Sequence, residues 1–122
     1  MTDHTVKAFD EDITRLRGLI AEMGGLAEVA AGMVHDVLTA FAARDPVLAR
    51  EVIERDAKVD AFYDSIFRNL VSYMVENPAT ISSAAQLLFI ARNIERIGDH
   101  ATNVAEMVHF AATGNYPADE DA

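Results

Sequence analysis

A chain of 122 residues, 51% of them apolar, is long enough for one domain with a substantial core, too short for two, and too apolar to be disordered. Twenty Asp and Glu against ten Lys and Arg, a net charge of −10, repel a phosphate backbone and speak against both nucleic-acid binding and a basic membrane-surface helix. The absence of cysteine excludes disulfides, thiolate metal sites and cysteine nucleophiles.

The opening, Met1-Thr2-Asp3-His4, has neither the basic nor the apolar region of a signal peptide. No uninterrupted apolar run approaches the roughly 20 residues that span a bilayer. A cytoplasmic protein without membrane insertion is the expectation. The first helix is predicted from about residue 4 to Ala43. Phe9, Ile13, Leu16, Ile20, Met23, Ala27, Ala30, Val34, Val37 and Phe41 form a heptad seam, and Leu19, Leu26, Met33 and Ala40 widen it by a neighbouring stripe. Gly24 and Gly25, mid-helix, predict a bend or a close approach by another helix.

Asp45-Pro46 starts the second helix, with Asp as N-cap and Pro at the first helical position. One seam follows Leu48, Val52, Val59, Phe62, Ile66 and Tyr73. The other runs through Ile53, Asp56, Asp60, Tyr63, Phe67, Leu70 and Met74. Asn77-Pro78 ends this helix. Thr80 is placed to cap the third, which reads to about Ala112 with Gly114 as its stop. Its seam is Leu87, Ile90, Ile94, Ile97, Ala101, Val104 and Val108, flanked by a polar stripe of Glu95, Asp99, Asn103 and Glu106. Short loops between long amphipathic helices predict an all-α, antiparallel, spectrin-like three-helix bundle over 1–114. A disordered acidic tail is expected over 115–122.

Two carboxylate pairs stand out: Asp56 with Asp60, and Glu95 with Asp99. Residues four apart lie one turn apart on one helix face. Paired oxygens at that spacing suit a hard or borderline cation, so the four residues form a candidate metal site. The plainer reading is a solvated charged face neutralised by Arg92 and Arg96. His35, His100 and His109 read as ordinary helix-surface or boundary residues. Glu106-Met107-Val108-His109 is a single Glu-x-x-His, the motif of di-iron carboxylate bundles; two copies in a homodimer would be needed for an oxidase. There is no phosphate-binding glycine loop, and Ser65, Ser72, Ser82 and Ser83 have no readable triad setting.

The string Glu95-Arg96-Ile97-Gly98-Asp99-His100-Ala101-Thr102-Asn103-Val104-Ala105-Glu106 resembles the signature of PhoU-type phosphate-signalling regulators. Glu54-Arg55-Asp56 with Val59-Asp60 does so too, and the segment from His4-Thr5 through Phe9-Asp10 to Met23-Gly24-Gly25 resembles that family's N-terminal start. Family members usually carry two three-helix repeats. Here the opening is similar to the first repeat and the remainder, from about Met33 onward, to the second, so the chain reads as a half-size form. The resemblance implies a non-enzymatic negative regulator of phosphate uptake and phosphate-starvation signalling. Its implied partners are the ATPase subunit of a phosphate ABC transporter and a sensor histidine kinase. It also implies a cluster of iron or another divalent metal at Asp56, Asp60, Glu95 and Asp99. Seams too broad for three helices predict a homodimer in place of the second repeat. The alternatives are a metal-binding structural helical module without a phosphate role, and a dimeric di-iron oxidase using Glu106 and His109.

Overall fold

The computed structural model describes residues 2–120, with side chains from 3 to 119. Three long helical limbs run up, down and up, and there is no strand among the described residues. The first limb is α1, Thr2–Ala43. It stays helical through Gly24 and Gly25, and the reason for glycine is a close approach: a Cβ on Gly25 would lie 2.7 Å from the Phe62 ring. The chain then reverses through Arg44, whose φ of 52° is left-handed. Asp45 caps α2 (Pro46–Glu54), its carboxylate accepting from the amides of Val47 and Leu48 at 3.0 and 3.1 Å.

The second limb is not one helix. α2 ends at Glu54 and α3 (Asp56–Glu76) begins two residues later, with Arg55 at φ −70°, ψ −15° between them. The break has a physical anchor. The Arg55 guanidinium donates to Asp36 of α1 at 2.5 Å, fixing the joint against the neighbouring limb. A turn at Pro78–Thr80 leads into α4, Ile81–Thr113. Thr80 does not cap α4 as expected; its hydroxyl donates instead to the Asn77 carbonyl at 2.7 Å. Gly114 stops α4 in the left-handed region at φ 81°, where a side chain would be strained.

The core corrects two predicted seams. On α1 the fully buried stripe is Leu19, Leu26, Met33 and Ala40, joined by Ala30 and Val37, whereas Phe9, Leu16, Ile20 and Phe41 of the seam are exposed. The neighbouring stripe faces the other two limbs at once, which a seam rotated toward one side cannot do. On α4 the centre is a heptad of small residues, Ala84, Ala91, Gly98 and Ala105. Small side chains let the backbone come close, and the bulky Ile90 and Ile97 are displaced to the flank, about half exposed. Val52, Val59, Ile66 and Leu70 complete the core from the second limb.

By length and composition alone α1 is long and apolar enough to cross a membrane, although its apolar residues do not form one uninterrupted run. Glu22, Glu28 and Asp36 punctuate it, and its buried stripe is spent on the bundle. Of the segment expected to be a disordered tail, residues 115–120 fold back onto α4. Pro117–Glu120 forms a short helix, α5, Pro117 is buried, and Tyr116 stacks on Phe110 with ring centroids 4.7 Å apart. Asp121 and Ala122 lie outside the described residues.

Candidate metal site

The site forms at a close contact between α3 and α4. Gly98 has no side chain, and a Cβ there would meet both methyls of Val59 at 3.2 and 3.3 Å. That contact sets the two helices near enough for carboxylates one residue to either side, Asp60 and Asp99, to face each other. The break at Arg55 makes Asp56 the first residue of α3, so its carboxylate lies at the partly positive end of a helix.

Asp56, Asp60 and Asp99 each bring a carboxylate oxygen into one group, all within 4.8 Å of one another. Asp56 is half-buried, and Asp60 and Asp99 are exposed. Asp56 Oδ1 is shut off from solvent and takes no hydrogen bond among the described residues. Leaving a buried charged oxygen unpartnered is costly. Burial, then the negative charges of Asp60 and Asp99 and a carboxyl contact with Asp99, push the Asp56 acid above its ordinary value of 3.8; the Thr102 hydroxyl acts the other way. Burial, with Asp99 and Asp64, also raises Asp60. These groups are held together against their mutual repulsion, which a cation would relieve.

Glu95 is not in the three-oxygen group. It stands beside it, half-buried, with Arg92 Nε 3.7 Å from its carboxylate. Burial and the charge of Asp99 raise its acid, and Arg92 opposes them. The predicted four-residue set therefore becomes three candidate ligands and one neighbour. Arg92 neutralises the edge of the patch rather than its centre.

Two contributors escaped the sequence reading. Asp64 continues the Asp56–Asp60 ladder by another four residues, a signal that was available. Thr102, buried and donating to the Gly98 carbonyl at 3.0 Å, gave none. Glu106 and His109 do not join the acidic group. His109 is buried rather than at the surface, and its Nδ1 lies 2.7 Å from the Asn115 carbonyl. It secures the fold-back after α4.

A hard oxygen donor set with an orphaned buried carboxylate oxygen fits a divalent cation. Residues 20–108 match the family model described as the PhoU domain. The chain is 55% identical over 89 residues to a phosphate-specific transport system accessory protein PhoU homolog of Zymomonas mobilis, covering 73% of this chain and 38% of that protein. It is 47% identical over 104 residues to the homolog of Rhizobium meliloti, covering 85% and 44%. The crystal structure of PhoU from Pseudomonas aeruginosa superimposes with a TM-score of 0.73 at 40% identity, over 75% of this chain and 44% of that one. The chain thus spans less than half the length of these relatives.

Proposed function

Because this chain belongs to the PhoU family, we propose that it is a non-enzymatic negative regulator of phosphate uptake and phosphate-starvation signalling, acting in the cytoplasm. The relatives' shared name, accessory protein of the phosphate-specific transport system, supports a transport-linked role. In this reading, helix faces dock the transporter's ATPase subunit and a sensor histidine kinase, and a second copy of the chain pairs with the first.

The observation that carries the metal half of the proposal is the orphaned Asp56 oxygen beside Asp60 and Asp99. Asp56, Asp60 and Asp99 would hold a divalent cation such as iron, with Glu95 at its edge. The cation's role is electrostatic: it holds α3 and α4 together where three carboxylates otherwise push them apart. A metal-stabilised bundle with no phosphate role is the competing reading, and cells separate the two. Expressed in a bacterium lacking its full-length relative, the chain should restore repression of a phosphate-starvation reporter. Failure to repress, with folded protein present, would leave only the structural module.

A further inference from the structure

The buried rows of the bundle run out before its helices do. On α1 the inward stripe steps back from Met33 to Leu26 to Leu19, and seven residues earlier stands Asp12, which is exposed. The α4 row of small residues begins at Ala84, and the last fully buried side chain of α3 is Leu70. With no large side chain to fill the next layer, a cavity of about 280 Å³ is left between the three limbs, walled by Leu16, Leu19, Leu70, Ala84 and Leu87. An apolar cavity of about 150 Å³ is already enough for a benzene-sized guest. Ligand sites in general combine such walls with a few placed polar groups.

The polar groups here are of one sign. Arg15 and Tyr73 line the cavity, with the guanidinium carbon 4.9 Å from the ring centroid, a stacking that holds the charge in place. Thr80 also lines it, but its hydroxyl donates to the Asn77 carbonyl. Glu76 pairs with Arg15, yet its side chain is 61% exposed against 31% for Arg15, and it does not line the cavity. The charge facing the cavity is therefore positive. Glu76 engages Nη1 of Arg15, and a guanidinium carries five N–H donors.

We propose that this cavity binds a small amphiphilic carboxylate, its medium-length aliphatic or aryl-alkyl chain seated among the leucines and its head group on Arg15. A cationic amphiphile would set its charge against the guanidinium, and an alcohol would forgo a charge-assisted hydrogen bond. Because an exposed ion pair contributes little, the ligand's carboxylate shares or replaces Glu76 with little loss. The site is separate from the acidic group. Leu70 lies 14 residues along α3 from Asp56, roughly 21 Å at the rise of a helix.

The test is an NMR titration of the isotope-labelled full chain with octanoate, octanol and octylammonium, following leucine and alanine methyls. Octanoate should give saturable shifts centred on Leu16, Leu19, Leu70 and Leu87. It should bind about tenfold tighter than octanol, the size of one hydrogen bond to a charged group, with octylammonium weakest. Arg15→Gln should weaken octanoate about tenfold and leave octanol unchanged. Glu76→Gln, which frees the guanidinium, should tighten octanoate alone. Ala84→Leu fills the cavity from within, and Ser83→Phe fills it from an exposed lining position that leaves the buried packing intact; each should block both ligands. Equal binding of octanoate and octylammonium, or an octanoate affinity untouched by Arg15→Gln, would overturn the assignment of a carboxylate. Shifts that do not saturate at millimolar octanoate, or that persist undiminished in Ser83→Phe, would overturn the cavity as a binding site.

Discussion

Asp60→Asn should make the protein more stable without metal and less responsive to metal. Asp60 faces Asp56 and Asp64 one turn away on α3 and Asp99 across the helix contact. Like charges at helix spacing i, i+4 cost about 0.2–0.5 kcal/mol each. Removing one exposed charge that meets two such neighbours and a third across the interface should gain roughly 0.5–1 kcal/mol in metal-free protein. For a chain of this length that raises Tm by about 2–6 °C. Added salt shrinks the gain, because the group is solvent-facing. A cation bound at a hundred times its Kd adds about 2.7 kcal/mol to the native state. The variant, with one of three ligands weakened to a neutral amide, should lose most of that increment. Urea denaturation after chelation, repeated with saturating Mn²⁺ or Fe²⁺, gives both numbers, and the stability order of the two proteins should invert. A variant less stable than wild type in chelator, or equally stabilised by metal, would refute the reasoning.

Two further predictions rest on the same region. Gly98→Ala gains up to about 1 kcal/mol of helix propensity but presses on a stiff, fully buried Val59, an overpacking cost of about 1–3 kcal/mol; it should destabilise on its own and stabilise in a Val59→Ala background. Additive effects in that double-mutant cycle, measured by denaturant titration, would contradict the close helix contact. For pH, the acids of Asp56, Asp60 and Glu95 are raised in the fold, so their contribution to metal-free stability is present below their ordinary values of 3.8 and 4.5 and is lost as pH rises through the raised ones. Asp36 is lowered by hydrogen bonds from His35 and Arg55, so its contribution is present above pH 3.8 and lost as pH falls. Thermal melts across this range should therefore show the acidic-group penalty vanish in Asp56→Asn/Asp60→Asn/Glu95→Gln, while Arg55→Ala weakens the loss on acidification.

The three limbs were legible because long helical periodicity and the punctuation at Asp45-Pro46, Asn77-Pro78 and Gly114 each carry a local physical cause. The core stripe was less so. On α1, apolar residues cover both Leu16-Ile20 and Leu19-Leu26, and periodicity alone does not say which stripe turns inward; the small-residue face of α4 decides it. The break at Arg55 depends on a contact 19 residues away with Asp36, which no local pattern encodes. At the site, Asp56, Asp60 and Asp99 were readable because i, i+4 spacing fixes their face. Glu95 shares that spacing with Asp99, yet its partner at 3.7 Å is Arg92. Which member of an acidic stripe reaches the centre depends on helix rotation, and only packing sets that.

The proposed cation site is built from the carboxylates of Asp56, Asp60 and Asp99. Elemental analysis of purified, untagged protein against the Asp56→Asn/Asp60→Asn/Asp99→Asn variant tests it most directly. Stoichiometric iron, manganese or zinc in the wild type, absent from an equally helical variant, is the expected result. No bound metal in the wild type after equilibration with each ion, or equal metal in both proteins, would contradict it and reduce the cluster to a charged face.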